Sequence, residues 1–377
     1  MKEDKALIDW NWVVERLRGK DISGWFGSAT GGEYLQEFQT EFARFCGRKN
    51  GIAVSSGSAS IYVGLRACGV GPGDYVAVPA YTHIGSVAPI VLAGAKPVFV
   101  DSDKYGNLSH SDLEKAIEGK KNLRAVITVH LLGVPCEMQK IRDVIDDLSE
   151  KVFIIEDASH ALGSEYRGKR CGSLGDVGCF SIGGGRTKTI GTGEGGIVVV
   201  DDDDLAQKCR NIRNHGDRYT DVDYFCFNFR MSELNAVVGL SQMSKLDMLV
   251  DWQIKKAEYL LSKLPPFLSV PEPPVHVKST RYLLGCVYKG KRFSRDEFVS
   301  RLIEALNKKG IENGVPRRNV SKGQTKLIGD VRFYQKFKRA CPFAESLVEN
   351  SFWIDWHRYP RTEEEIDELL ETIEEIA

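Results

Sequence analysis

The stretch GCFSIGGGRTKTIGTGEGGIVVVD, residues 178–201, sets a glycine-rich loop between two short strand-like runs. GCFSI (178–182) precedes the loop and GIVVVD (196–201) follows it. Between them, residues 183–196 hold seven glycines, one glutamate and two basic residues, with Lys188 flanked by two threonines. The spacing fits neither G-x-x-x-x-G-K-[ST] nor a G-x-G-x-x-G that opens a helix, so neither familiar phosphate motif accounts for it. A flexible linker and a loop built to hold one lysine are the readings left open.

Outward from the loop, short apolar runs recur. IAV (52–54), YVAVPA (75–80), KPVFVD (96–101), AVITVHL (125–131) and VFIIED (152–157) all read as strands, and helical or loop segments fill the intervals. YLQEFQTEFARFCG (34–47) has helical spacing and ends on glycine. SSGSASIYVGL (55–65) reads as a turn entering a helix, and THIGSVAPIVLAGA (82–95) as another helix. Strands alternating with helices predict an α/β fold: a large domain with a mostly parallel, mixed sheet between helices. From residue 233 the pattern changes to one long helical stretch, SELNAVVGLSQMSKLDMLVDWQIKKAEYLLSKL (232–264). After it come a strand (RYLLGCVYKG), a helix ending at Gly310 and an amphipathic terminal helix. The boundary is placed near residue 250, giving a large domain over 1–250 and a smaller α+β domain over 251–377. DDDD (201–204) reads as the solvent end of a strand.

Composition narrows the functional classes. A 377-residue chain with 42% hydrophobic and 27% charged residues has ample material for a globular core. A net charge of −1 supplies no overall basic field for nucleic acid or an anionic membrane. Nine scattered cysteines without a CxxC pair read as reduced thiols, and neither a disulfide frame nor a metal site is expected. The N-terminal segment lacks an apolar h-region and no run is long enough to cross a bilayer, so a soluble, cytoplasmic protein is expected.

In open α/β sheets, sites gather where strands end. VFIIED ends on Glu156 and Asp157, an acidic pair that also suits a cap or a metal ligand. Ser56, Gly57, Ser58 and Ala59 stand at a helix start, where free N–H groups favour an anion or simply accept an N-cap. His83 follows another strand end and offers a flat ring, and Ser181 adds a hydroxyl ahead of the glycine loop. An anion cradle, a ring for stacking, a carboxylate and a lysine are together what pyridoxal 5′-phosphate (PLP) requires.

The chain resembles the PLP-dependent sugar aminotransferases of the DegT/DnrJ/EryC1/StrS family, within the aspartate-aminotransferase fold type. The resemblance runs through SSGSAS (55–60), GVGPGDYVAVPAYTH (69–83), GAKPVFVD (94–101), VHLLGVP (129–135), IEDASHALG (155–163) and GSLGDVGCFS (172–181). GRTKTIGTGEGG (185–196), RNHG (213–216) and FNFRMSELNAVVGL (227–240) continue it in order. It implies that Lys188 is the Schiff-base lysine, that Asp157 pairs with the pyridinium nitrogen, and that His160 sits near the cofactor's phenolic oxygen. His83 takes the position of the stacking ring. Gly57, Ser58 and Ala59 form the phosphate turn with Ser181, and Asn228 reaches the phosphate of a neighbouring subunit in a homodimer with shared sites.

Three positions depart from the family pattern. Six residues separate Ser181 from Lys188 where four are usual. Counting forward from Ser181 selects Arg186, which forms no Schiff base, so Gly183 and Gly184 are read as an insertion. His83 replaces a tryptophan or phenylalanine, and Gln253 stands where an arginine is usual. The implied reaction carries an amino group from glutamate or glutamine to a keto-sugar, nucleotide-linked, for amino-sugar, surface-polysaccharide or antibiotic biosynthesis. A keto-sugar acid of the ulosonate type or a keto-cyclitol is the alternative substrate, because CPFAE (341–345) and FWIDWH (352–357) look like that branch. A catalytically silent regulatory homologue is the reading from a different class. Substrate choice is assigned to loops at about 22–33, 217–226 and 314–330, the last with the basic run VPRRNVSKGQTK.

Overall fold

The computed structural model describes residues 8–23, 30–183, 188–215, 227–309, 339–354 and 362–377. The apolar runs read from the sequence become strands β1 (Asn50–Val54), β2 (Tyr75–Pro79), β3 (Lys96–Val100), β4 (Leu123–Val129) and β5 (Phe153–Asp157). Two short strands, β6 (Glu165–Tyr166) and β7 (Lys169–Arg170), precede β8 (Val177–Ser181) and β9 (Gly196–Val200). Seven of these form one sheet in the order β1-β9-β8-β5-β4-β2-β3. β9 runs antiparallel to both neighbours, and β8, β5, β4, β2 and β3 pair in parallel. The expected mostly parallel, mixed sheet is the one that forms.

Helices cover both faces, which is why the strands are apolar throughout and do not alternate. In chain order they are α1 (Trp10–Leu17), α2 (Glu33–Cys46), α3 (Gly57–Ala67), α4 (Ile84–Leu92), α5 (His110–Ile117), α6 (Met138–Asp146), α7 (Asp203–Arg213), α8 (Glu233–Met243) and α9 (Leu246–Ser262). On one face Leu65 of α3, Ile90 of α4 and Ile212 of α7 pack with Ile52, Val78 and Ile127. On the other, Phe38 and Phe42 of α2 and Val237 of α8 pack with Ala53, Phe180 and Ile197. Phe42 meets Phe180 edge-on at 5.1 Å.

Two sequence expectations change. The helical stretch 232–264 is two helices, broken at Ser244 and Lys245, where the Lys245 N–H bonds back to the Gln242 carbonyl at 3.1 Å. No proline or glycine marks this break. The separate axes let each helix bury its own side, Leu240 from α8 and Leu246, Leu249 and Val250 from α9. DDDD does more than end a strand at solvent. Asp201 pairs with Arg48 at 2.7 Å, and Asp202 caps α7 by accepting from the Leu205 N–H at 2.8 Å.

Beyond α9 the chain forms β10 (Leu268–Ser269), β11 (Val277–Lys278), β12 (Leu284–Tyr288), α10 (Arg295–Lys308), α11 (Pro342–Asn350), β13 (Ser351–Ile354) and α12 (Glu363–Ile376). Gly310, the expected helix end, lies outside the described residues. A small sheet, β10-β12-β13, packs under α10 and α12 through Leu284, Phe298, Leu302, Ile354, Ile366 and Ile373. The expected boundary near 250 falls inside α9, whose first turns enter the large core while Ala257 and Leu260 enter the small one. Residues C-terminal to it also return to the large core, namely Cys341, Ala344, Val348 and Trp353. α11 docks there because Asp101 accepts from its first-turn N–H groups, Phe343 at 3.1 Å and Ala344 at 2.8 Å. CPFAE is therefore the start of a docked helix.

A second junction lies at the site itself. Segment 279–282 presses against Gly133, where an added Cβ would stand 2.7 Å from Thr280 Oγ1 and 2.8 Å from the Tyr282 nitrogen. Gly133 has φ +87°, so a side chain there meets both backbone strain and a clash. Gly133→Ala is expected to destabilise the protein by roughly 1–3 kcal/mol. Urea denaturation checks this, and an unchanged midpoint would show that the junction yields freely.

Candidate active site

The ends of β1, β2, β5 and β8 and the glycine loop converge on a cavity of about 560 Å³. Of the residues singled out in the sequence, Gly57, Ser58, His83, Asp157, His160, Ser181 and Lys188 line it together. Arg186 and Gly184 lie outside the described residues.

The helix start read at 56–59 is real. Ser56 is extended and its Oγ accepts from the Ala59 N–H at 3.1 Å. That amide is thus committed to the cap, while Gly57 and Ser58, in the first turn, line the cavity with the helix dipole behind them. Gly57 is required by close approach: a Cβ there would fall 2.5 Å from Ser181 Cβ. Ser181 is held in turn by its N–H, which donates to Ser159 Oγ at 3.1 Å.

The acidic pair divides across the strand, as alternation demands. Glu156 turns into the scaffold, where it accepts from the N–H groups of Gly172, Leu174 and Gly175 at 2.6–2.7 Å. His130 Nδ1 accepts from the Cys136 N–H, so Nε2 carries the proton and donates to Glu156 at 3.0 Å. Burial pushes the Glu156 carboxyl up, but the His130 and backbone hydrogen bonds outweigh it and leave the group below its ordinary range. His130, Glu156 and Cys171 lie close enough to hold a metal. The Glu156 oxygens already accept four hydrogen bonds and His130 Nε2 carries a proton, so both are engaged in the scaffold. Asp157 turns the other way, into the cavity. It accepts from Ser86 Oγ at 2.6 Å and from the Ser159 N–H at 3.2 Å.

His83 caps α4, its Nδ1 accepting from the Gly85 N–H at 3.0 Å. In the neutral ring the proton therefore sits on Nε2. Burial lowers its pKa, Lys188 lowers it further, and Asp157 opposes both. His160 lies against the Tyr282 ring, with centroids 4.4 Å apart and planes at 21°.

Lys188 projects from the loop into this group. Its Nζ donates to the Ser159 carbonyl at 2.9 Å and lies 4.9 Å from the Tyr282 ring centroid. Burial pushes the ammonium down to about 8, although Asp157 pulls the other way. The loop is cinched at its base by Thr192 N–H to the Ile182 carbonyl at 2.9 Å and Ile182 N–H to the Gly195 carbonyl at 3.0 Å. Gln242 clasps Gly191, accepting from its N–H at 3.0 Å and donating to its carbonyl at 2.9 Å.

Asn228 stands apart from the cavity, its Oδ1 accepting from the Arg230 N–H at 3.0 Å. Ser86, Ser159 and Tyr282 belong to the site and were not singled out by sequence. Ser86 has a local signal, being in the first turn of the helix that follows PAYTH. Tyr282 has none, because it arrives from the C-terminal part of the chain.

Residues 14–374 match the profile of the DegT/DnrJ/EryC1/StrS aminotransferase family. The chain belongs to that family. It is 40% identical over 227 residues to a GDP-perosamine synthase of Caulobacter vibrioides, covering 59% of each protein. It is 34% identical over 288 residues to one of Escherichia coli, covering 75% of this chain and 77% of that one. The chain spans 59% of the Caulobacter relative's length and 65% of that of a further GDP-perosamine synthase from Vibrio cholerae. The aminotransferase structure from Psychrobacter cryohalolentis superposes with a TM-score of 0.82 at 27% identity, covering 97% of this chain and 95% of that one. The fold is thus that of the PLP-dependent sugar aminotransferases. Among the described residues no helix is long and apolar enough to cross a membrane.

The residues present fit PLP. A helix N-terminus with close-packed Gly57 and the Ser181 hydroxyl suits the phosphate, Asp157 suits a protonated ring nitrogen, and Lys188 suits an aldehyde. In the cofactor-free protein, Lys188 should react with an amine-directed acylating reagent with a pH midpoint near 8, since its neutral form dominates above that pH. Peptide mass spectrometry across a pH series measures this, and a midpoint near an ordinary lysine's ~10.4 would contradict the enclosed amine.

Proposed function

We propose that the chain is a PLP-dependent aminotransferase that passes an amino group from glutamate or glutamine to a nucleotide-linked keto-sugar. The observation that carries the reading is the Lys188 amine, bonded to the Ser159 carbonyl at 2.9 Å in the same cavity as Asp157 and the N-terminus of α3, where burial pushes its pKa down to about 8. At pH 7.5 such a group is about one-quarter neutral and able to attack a carbonyl. When bound, PLP supplies an electron sink for charge developing on the substrate carbon.

The protein's own groups do the rest. Gly57, Ser58 and Ser181 would hold the phosphate, and Asp157, steadied by Ser86 and Ser159, would keep the ring nitrogen protonated. His83 and His160, which line the same cavity, would contact the ring. The Lys188 amine would hold the cofactor and, when freed, would carry a proton to and from the substrate carbon. Asn228 and the adjoining Phe227, 68% exposed, support a second copy that completes the phosphate site. Relatives named for making GDP-perosamine support a GDP-linked keto-sugar as the first acceptor to test.

The test is a spectroscopic half-reaction assay. Glutamate should remove the visible band of the PLP-loaded protein, and GDP-4-keto-6-deoxymannose should restore it. Asp157→Asn should slow both steps roughly a hundredfold or more. A band unmoved by either amino donor, or restored equally well by keto-acids but not by any nucleotide-linked sugar, would sink this reading.

A further inference from the structure

We propose that Gln253 is a positioning residue, tying the lysine loop to the segment that carries Tyr282 and so keeping the Lys188 amine enclosed. This rests on the proposed role of Lys188 and adds a determinant of its reactivity. Gln253 is 4% exposed and spans two parts of the chain with one amide. Thr189, the neighbour of Lys188, donates its hydroxyl to Gln253 Oε1 at 3.2 Å. Gln253 Nε2 donates to the Thr280 carbonyl at 2.8 Å. The orientation is not arbitrary, because a carbonyl oxygen only accepts: Nε2 must face Thr280, which leaves Oε1 for Thr189.

Thr280 is two residues from Tyr282, whose ring stacks on His160 and covers the Lys188 Nζ. The segment is seated on the large sheet's side by Ser164, whose Oγ accepts from the Thr280 N–H at 3.1 Å. Gln253 is thus a direct link between the lysine loop and the segment that carries Tyr282. Gln242 holds the loop's far side at Gly191, and the two glutamines hold it from successive helices. An arginine at 253 would offer donors only and could not accept from Thr189 while donating to Thr280 in the same way. A leucine keeps the volume and removes both bonds.

Without the tie, the loop and the Tyr282 segment separate by small rotations and water reaches the amine. Solvation restores the charged form, so the pH midpoint for acylating Lys188 should rise. The titratable groups facing Lys188 across the cavity are Asp157, His83, His160, Glu194 and Tyr282, none of which is altered by substituting Gln253 or Thr189.

The experiment measures Lys188 acylation against pH in the cofactor-free full chain for wild type, Gln253→Leu and Thr189→Val, with thermal unfolding of each. Both variants should raise the midpoint by about one unit, toward that of a solvated lysine. Thr189→Val removes only one bond at a half-buried position and decides the matter if Gln253→Leu does not fold. Equal midpoints in wild type and a folded variant overturn the proposal. A parallel PLP titration separates the two claims: a wild type that binds no PLP refutes the proposed function, while the acylation series still judges Gln253.

Discussion

The Lys188 amine donates to the Ser159 carbonyl and sits against the Tyr282 ring, so a group that water normally solvates is covered by two separate chain segments. Enclosure disfavours its charged form, and the surroundings answer with one neutral acceptor and one distant carboxylate in place of an ion pair. A direct salt bridge would hold the ammonium charged and unreactive. The arrangement needs a loop that is glycine-rich enough to approach the sheet yet pinned at many points. Thr192 and Ile182 pinch its base, and Gln242 and Gln253 hold its body.

The sheet topology delivers the remaining groups. Parallel strands β2, β4, β5 and β8 end on one edge, so side chains far apart in sequence become neighbours at their C-terminal ends. The reversed strand β9 carries the chain back from the lysine loop into the sheet. The alternation along β5 turns Glu156 into the scaffold and Asp157 into the cavity. Glu156, bonded by His130 and three backbone amides, stiffens the 172–175 turn that leads into β8. Its stabilisation is present above the ordinary glutamate pKa and is lost as pH falls through the depressed folded value.

Most of the fold was legible because buried strands and helix starts leave local marks. Apolar runs located all seven strands of the main sheet, and Ser56 before Gly57 located the helix start that faces the cavity. Lys188, Asp157 and Ser181, singled out by residue type at strand ends and in the glycine loop, do line one cavity. The site was illegible where the contribution is tertiary. Nothing near Tyr282 or Gln253 signals that they meet the lysine loop, and the break between α8 and α9 lacks any helix-breaking residue. Docking of α11 onto Asp101 was hidden for the same reason: a carboxylate capping a helix 242 residues away leaves no pattern in either segment.

We propose that the lysine loop presents Lys188, with Gly183 and Gly184 read as an insertion that leaves Arg186 out of that role. Borohydride reduction of the PLP-loaded protein followed by peptide mapping addresses it most directly. The account predicts a single phosphopyridoxyl label on Lys188. A label on any other lysine, or a protein that PLP leaves unlabelled, would contradict it.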